Sequence, residues 1–156
     1  MRIIGGEFKG KKLSLPFDKN TRPLKDLVKE SIFNLIQHSK KINIDIKGSI
    51  ILDLFSGSGS FGLECLSRGS EKIIFFENYS TAIKILNQNV NSFKNSNKCE
   101  IYENDCFEYF NANFEFNYLF DIIFFDPPYK EKRINEIIIK IIEKKLLKKN
   151  GIIIIH

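Results

Sequence analysis

The spacing of apolar residues divides the chain into two parts, residues 1–48 and 49–156. In the first part, RIIGGEFKGKKLSL places short apolar runs around glycines, which predicts two short strands in a hairpin-like arm. The segment RPLKDLVKESIFNLIQ predicts an amphipathic helix with Pro23 at its first position. Its apolar residues at helical spacing are Leu24, Leu27, Val28, Ile32, Leu35 and Ile36. Its polar face is predicted to hold Lys25, Asp26, Lys29 and Glu30.

From residue 50 onwards, short apolar runs alternate with segments of helical periodicity. Such runs are typical of strands buried in a parallel sheet. Strands are predicted at residues 50–55, 72–77, 100–105, 120–126 and 152–156. Helices are predicted after the glycine-rich loop and at residues 80–93, 106–110 and 134–149, with Asn150 and Gly151 as the last stop signal. The pattern predicts an α/β fold with a mostly parallel sheet, helices on both faces, and ligands at the carboxyl ends of the strands.

Charge is distributed unevenly along the chain. Residues 1–48 contain 11 Lys and Arg against 5 Asp and Glu, whereas residues 49–156 contain 13 against 14. A basic segment on a neutral body suggests a polyanionic partner, although a solvated lysine-rich face would have the same composition. The candidate contacts to a nucleic acid are Arg2, Lys9, Lys11, Lys12, Arg22, Lys25 and Lys29.

The composition indicates the class of protein. An apolar content of 43% over 156 residues predicts a single globular domain, with residues 1–48 as a basic segment and 49–156 as the core. The three cysteines form no CxxC pair, which favours a reduced, cytoplasmic protein. The sequence contains no apolar run long enough for a membrane span and does not start like a signal peptide. We therefore expect neither a membrane partner nor a metal.

The loop DLFSGSGSFGLE has glycines 57, 59 and 62 in GxGxxG spacing between a strand and a helix. Glu77, at the end of the next strand, is placed to bind ribose hydroxyls, in NAD enzymes and S-adenosylmethionine enzymes alike. Asp53 separates these alternatives, because its carboxylate would repel a pyrophosphate and attract an ammonium or sulfonium group. It favours S-adenosyl-L-methionine, although Asp53 alone could instead cap the loop amides and Glu77 alone could be a surface acid. The predicted cofactor contacts are Asp53, Phe55, Ser56, Gly57, Gly59, Glu77, Asp105 and Cys106.

The second motif, FDPPYK, follows the fourth predicted strand. Pro127 and Pro128 fix the backbone and remove two N–H donors. The loop then presents the Asp126 carboxylate and the Pro127 carbonyl, which suit the two N–H groups of an exocyclic amine on a base. Tyr129 is placed to stack on that base. We predict Asp126, Pro127, Pro128 and Tyr129 as the catalytic group, with a tight strand-exit turn as the alternative explanation.

Together, DLFSGSGSFGLECLSRGS, FDPPY, RIIGGEFKGKKL and RPLKDLVKESIFN resemble the bacterial 16S ribosomal RNA guanine-N2 methyltransferases of the RsmD family. The resemblance covers residues 2–156 and implies a Rossmann-like class I S-adenosylmethionine-dependent methyltransferase fold. It implies methylation of N2 of a guanine in ribosomal RNA, within the small ribosomal subunit. Leu24 and Leu27 stand where the family usually has threonine and arginine.

Three alternatives to this function stay open: methylation of another amine on adenine, cytosine or a protein glutamine, a non-catalytic RNA-binding assembly factor, and a nicotinamide-binding protein. Methyltransferases of this fold normally have two antiparallel strands after the fifth, and the apolar run Ile152 to Ile155 lies at the end of this chain. We therefore expect the chain to be part of a longer protein, and that complete protein to be a monomer.

Overall fold

The computed structural model describes residues 1–17, 24–112 and 115–156. Its strands are β1 Ile50–Leu54, β2 Lys72–Phe76, β3 Cys99–Tyr102, β4 Phe120–Phe125 and β5 Leu147–Ile155. Its α-helices are α1 Asp26–His38, α2 Ser60–Ser67, α3 Ser80–Asn91, α4 Cys106–Asn111 and α5 Ile134–Glu143, with a 3₁₀ turn at Ser96–Lys98. The strands pair in parallel in the order β3-β2-β1-β4-β5, which confirms the predicted α/β architecture.

The alternation of side chains along the strands builds two hydrophobic cores, one on each face of the sheet. On one face, Ile51 and Phe75 pack in a core that includes residues of α1, α2 and α3. On the other face, Leu52 and Phe76 pack in a core that includes residues of α4 and α5. Both cores consist mainly of buried aliphatic and aromatic side chains, so the sheet is a rigid support for the loops at its edge.

The register of the central strands sets the position of the candidate site. Leu54, at the end of β1, pairs with Phe76 of β2 and with Phe125 of β4. Because the strands are parallel, the segments that follow these three residues emerge at the same edge of the sheet. The glycine loop, Glu77 and the FDPPYK loop are therefore neighbours, as the sequence predicts.

The N-terminal arm, residues 2–12, differs in detail from the predicted pair of strands. Arg2 and Lys12 form a single antiparallel bridge. The backbone N–H of Ile3 donates to the Lys11 carbonyl at 2.9 Å, and Gly10 N–H donates to the Ile3 carbonyl at 2.8 Å. The prediction of strands is wrong here because turns and bends occupy residues 5–10, between the bridge partners. The arm is a compact loop closed by one bridge.

Helix α1 begins at Asp26, after extended backbone at Lys25. The predicted start at Pro23 lies outside the described residues. Two residues of the predicted apolar face, Leu27 and Leu35, are exposed by 75% and 62%. Lys29, predicted on the polar face, is instead fully buried. The buried face is therefore rotated from the one that periodicity predicts, because the helix packs a lysine against partners in α2 and the arm.

The last helix and strand also depart from the prediction. Helix α5 ends at Glu143, and Lys145 has a left-handed φ of 52° that ends the helical path. Leu146 is buried in the second core, and β5 starts at the next residue. Consequently Asn150 and Gly151 lie within β5, in a stretch where the pairing register with β4 shifts. The burial of Leu146 therefore determines where α5 ends, although the helical periodicity of the sequence continues through the following lysines.

None of the helices in the described ranges has the length and apolar character that a bilayer crossing requires.

Candidate functional site

A cavity of about 650 Å³ lies at the carboxyl ends of β1, β2 and β4. Residues of the glycine loop and residues Asp126 to Tyr129, which follow the neighbouring strands β1 and β4, both line it. This volume is within the range of small-molecule sites. The described residues that line it are Leu24, Asp53, Phe55, Ser56, Gly57, Ser58, Ser60, Phe61, Glu77, Asn78, Tyr79, Ala82, Phe124, Asp126, Pro127, Pro128, Tyr129 and His156.

The exit of β1 is held in a sharply turned conformation. Phe55 has a φ of 60°, which is rare for a residue with a large side chain. The Ser56 hydroxyl donates to the Asp53 carbonyl at 2.6 Å and accepts from the Phe76 N–H at 3.1 Å. These bonds tie the end of β1 to the end of β2. The Ser56 side chain therefore holds the turn.

Asp53 lies on the β1 face that packs against α2 and is only 1% exposed. Its Oδ2 accepts a hydrogen bond from the Gly62 N–H at 3.0 Å. Burial raises the pKa of the Asp53 carboxyl well above its ordinary value, and the nearby carboxylates of Asp126 and Glu77 raise it further. Asp53 therefore caps the loop, as the alternative explanation proposes, and also faces the cavity.

The third glycine of the motif has a packing role. A Cβ atom on Gly62 would lie 2.4 Å from Cε1 of Phe75, so no larger residue fits between α2 and the sheet. Gly59 precedes α2 with a left-handed φ of 79° and is not among the cavity-lining residues. Of the three glycines, Gly57 is the one that lines the cavity.

Glu77 fastens the glycine loop from the end of β2. Its Oε2 accepts from the Gly57 N–H at 2.7 Å, and its Oε1 accepts from the N–H groups of Asn78 and Tyr79 at 3.0 and 2.9 Å. A carboxylate has about four lone-pair sites, so one site remains for a ligand hydroxyl. The position next to the glycine loop agrees with the predicted ribose contact.

The cavity is strongly anionic. Three carboxylates line it, on Asp53, Glu77 and Asp126, whereas no lysine or arginine occurs among the described lining residues. A ligand with a positive charge would lower the electrostatic cost of placing these groups together, whereas a pyrophosphate would increase it. The donor set therefore fits S-adenosyl-L-methionine, which carries an ammonium and a sulfonium group, better than a nicotinamide dinucleotide.

Two predicted cofactor contacts, Asp105 and Cys106, are not among the lining residues. Oδ1 of Asp105 caps α4 by accepting from the Phe107 N–H at 2.7 Å, and Oδ2 accepts from the Asn78 amide at 3.1 Å. Cys106 is buried, and burial raises the pKa of its thiol to about 12. Asp105 thus reaches the cavity only through Asn78, which sequence patterns did not single out.

The loop after β4 carries the second half of the site. The Asp126 N–H donates to the Leu54 carbonyl at 3.4 Å, which continues the β1–β4 pairing into the loop. Pro127, Pro128 and Tyr129 follow along the cavity wall, and Tyr129 is 85% exposed at its mouth. An exposed ring at the rim of a cavity is well placed to stack on a base.

His156 is a functional candidate that sequence reasoning missed. Its Nδ1 lies 2.9 Å from Oδ1 of Asp126, and its backbone N–H donates to the Phe125 carbonyl at 2.9 Å. The available signal was its place after the fifth strand, beside the exit of the fourth. This contact leaves Oδ2 of Asp126 for another partner.

The basic candidates separate into different groups. Arg2, Lys9, Lys12 and Lys25 are exposed, as a contact to nucleic acid requires. Lys11 donates to the Ser92 carbonyl at 2.6 Å, and its ammonium lies 4.6 Å from the centre of the Phe93 ring. Arg22 lies outside the described residues.

The prediction for Lys29 is wrong. Its Nζ is buried and donates to the Arg2 carbonyl at 2.7 Å and to the Ser60 hydroxyl at 3.2 Å. It also lies 3.5 Å from Oε2 of Glu64. Burial lowers the pKa of Lys29, while Glu64 and Asp26 oppose that change. No RNA phosphate can reach this ammonium without unpacking α1.

Comparison with known proteins agrees with this geometry. The family model described as "Conserved hypothetical protein 95" matches residues 1–156. YlbH of Bacillus subtilis is 37% identical over 154 residues, which are 99% of this chain and 80% of that protein. Ribosomal RNA small subunit methyltransferase D of Haemophilus influenzae is 32% identical over 157 residues, covering 100% of this chain and 78% of that protein.

Solved structures show the same fold. The structure of yhhF from Escherichia coli superposes with a TM-score of 0.81 at 26% identity, covering 98% of this chain and 78% of that one. The sheet order and the position of the cavity are thus those of a Rossmann-like class I methyltransferase. Matched over its full length, the chain belongs to the ribosomal RNA small subunit methyltransferase D family, described by its family model as conserved hypothetical protein 95.

Proposed function

We propose that the protein transfers a methyl group from S-adenosyl-L-methionine to the exocyclic N2 amine of a guanine in 16S ribosomal RNA. The observation that carries this proposal is one anionic cavity lined by both the glycine loop and Asp126 to Tyr129. Such a cavity can hold a cationic cofactor and an amine side by side. Relatives with ribosomal RNA methyltransferase names, such as that of Haemophilus influenzae, support the choice of RNA as the substrate class.

On the cofactor side, the chain supplies charge and shape. When bound, the cofactor provides an electrophilic methyl group. Asp53 and Glu77 complement its positive charge and its ribose, and the Gly57 backbone permits close approach. Phe61 stacks on Phe124 with ring centres 4.0 Å apart, and both rings line the cavity. These rigid apolar surfaces exclude water from the place where the two ligands meet.

On the target side, the chain holds the amine. Oδ2 of Asp126 and the Pro127 carbonyl accept hydrogen bonds from its two N–H groups, which makes the nitrogen lone pair more available. His156 fixes Oδ1, and the Asp126–His156 pair can take the proton that the amine releases. Tyr129 stacks on the base. Positioning and preorganised polarity account for most of the expected rate enhancement.

The test is transfer of an isotope-labelled methyl group to four substrates: free 16S ribosomal RNA, small ribosomal subunits, DNA and ribosomal proteins. Nucleoside mass analysis should find N2-methylguanosine in the RNA and no labelled adenine or cytosine in the RNA or the DNA. The ribosomal proteins should contain no labelled glutamine. Asp126→Asn is the control, because it keeps the size of the side chain and removes the charge. Label on glutamine or on adenine would instead support another amine, and absence of cofactor binding would support an assembly factor.

A further inference from the structure

A second cavity, which we call the arm pocket, lies between the N-terminal arm and α1. Its volume is about 490 Å³, and among the described residues none lines both this pocket and the first cavity. Its functional side chains are Arg2, Lys9, Glu30, Asn34, Gln37 and Arg68. Glu30, Asn34 and Gln37 are spaced four and three residues apart on α1, so they form one polar face of the helix.

The wall of the arm pocket is fixed by the buried carboxylate of Glu64. This carboxylate accepts from the N–H groups of Ile4 and Gly5, both at 2.8 Å, and from Nε of Arg68 at 2.9 Å. A Cβ atom on Gly5 would lie 2.5 Å from Nη2 of Arg68, so the glycine lets the guanidinium rest against the arm. The Arg68 guanidinium also lies 4.3 Å from the centre of the Phe33 ring. The pocket is therefore preorganised.

The charges around the arm pocket leave a small positive surplus. Glu64 lies between Arg68 and Lys29, and Asp26 lies between Lys29 and Arg2. The described charged residues that line the pocket itself are the three cations Arg2, Lys9 and Arg68 and the one carboxylate Glu30. A carboxylate is unfavourable in a pocket for phosphate alone, because the two negative charges repel each other. The mixture of cations, two amides and one carboxylate instead suits a nucleotide, which combines one phosphate with the donors and acceptors of a base edge.

A buried lysine connects the arm pocket to the first cavity. Lys29 donates both to the Arg2 carbonyl at 2.7 Å and to the hydroxyl of Ser60, which lines the first cavity, at 3.2 Å. Lys29 thus links a residue that lines the arm pocket to a residue that lines the first cavity. A single RNA strand is therefore the ligand that we expect to contact both cavities.

We infer that the arm pocket binds a second nucleotide of the substrate RNA, outside the methylation target. Arg2, Lys9 and Arg68 bind its phosphate, and Asn34, Gln37 and Glu30 bind the edge of its base. This inference rests on the proposed function, because it takes the substrate to be RNA. Part of the preference of the protein for particular RNA sequences then comes from a pocket that lies away from the reacting atoms.

Two variants test the inference by fluorescence anisotropy with a labelled 16S ribosomal RNA fragment that the wild-type protein methylates. Lys9→Ala should weaken RNA binding about three- to tenfold and reduce the log–log salt slope by about 0.7, the value for one phosphate on a single strand. Asn34→Ala combined with Gln37→Ala should weaken binding about tenfold, leave the salt slope unchanged, and reduce the preference over a scrambled RNA of equal length.

Lys84→Ala and Ser31→Ala are controls, since both residues are exposed, neither lines the arm pocket, and neither is a candidate contact to nucleic acid. In every variant the melting temperature and the affinity for S-adenosyl-L-methionine should equal those of the wild type. If both pocket variants bind RNA with the affinity and sequence preference of the wild-type protein, the inference is wrong. The proposed function would still stand in that case, provided that the wild-type protein methylates the RNA. Failure of the wild-type protein to methylate any RNA would overturn both.

Discussion

Replacement of Asp53 by asparagine should move the stability of the protein and its affinity for S-adenosyl-L-methionine in opposite directions. The carboxylate is buried, receives one N–H from Gly62, and faces two further carboxylates. Asparagine keeps an oxygen that can accept the Gly62 hydrogen bond and removes the charge. The substitution therefore separates the loop-capping role of Asp53 from its electrostatic role.

The sign of the stability change follows from the raised pKa of Asp53. Below its ordinary pKa of 3.8 the carboxyl is protonated in both the folded and the unfolded protein, so it makes no pH-dependent contribution. Between pH 3.8 and the raised pKa of the folded state, the unfolded protein loses this proton while the folded protein keeps it. The free energy of unfolding therefore falls as the pH rises through this window. Asp53→Asn should hence raise the melting temperature near neutral pH, with a gain that shrinks as the pH falls toward 3.8.

The expected loss of affinity comes from the contact between this carboxylate and the positive charge of the cofactor. Hydrogen bonds to charged groups contribute about 1.5–3 kcal/mol, which corresponds to an increase in Kd of roughly 10- to 150-fold. Titration calorimetry with the cofactor and thermal denaturation over a pH series measure the two effects. Asp45→Asn is a control at an exposed aspartate. Unchanged affinity together with unchanged stability would refute the reasoning.

Three further changes test other parts of the site. Asp126→Asn should lower single-turnover methyl transfer by at least about 100-fold and change cofactor Kd no more than about threefold, because it keeps the size of the side chain and removes the negative charge and one of the two acceptor oxygens that face the amine; near-normal turnover would exclude that role. His156→Gln should lower kcat about tenfold, equivalent to about 1.4 kcal/mol, with little change in KM, and should have no further effect in the Asp126→Asn background; additive effects would show that the two residues act independently. Gly62→Ala should reduce the free energy of unfolding in urea by about 1–3 kcal/mol, because the new methyl group would collide with Phe75; an unchanged midpoint would contradict this packing.

The parts of the site that follow strand ends could be predicted from the sequence. Once GxGxxG and FDPPYK are placed after two parallel strands, the rule that carboxyl ends share one edge brings Asp53, Glu77 and Asp126 together. No side-chain contact is needed for that step. The structure adds the pairing register, which shows that Leu54 lies beside Phe125, so the two loops leave neighbouring strands at the same level.

The remaining features depend on contacts between residues far apart in sequence. Periodicity places lysine on the outer face of a helix, and it cannot show that Glu64, thirty-five positions away, makes a buried partner for Lys29. His156 likewise becomes a functional candidate only through its contact with Asp126, which the sequence pattern does not show. At the end of α5, local helical pattern competes with burial of Leu146, and burial determines the structure.

The pairing of β1 with β4 has a consequence for the order in which the chain folds. Strand β1, helix α2 and strand β2 are close in sequence, so the glycine loop can form from local contacts. Phe125 follows its partner Leu54 by about seventy residues, and such long-range parallel pairing is slow because a large loop must close first. Synthesis from the N-terminus therefore yields a half-site around Glu77 before the wall with Asp126 exists. A ligand that needs both walls will stabilise only the last folding stage, so nascent chains gain no protection from it until β4 has docked.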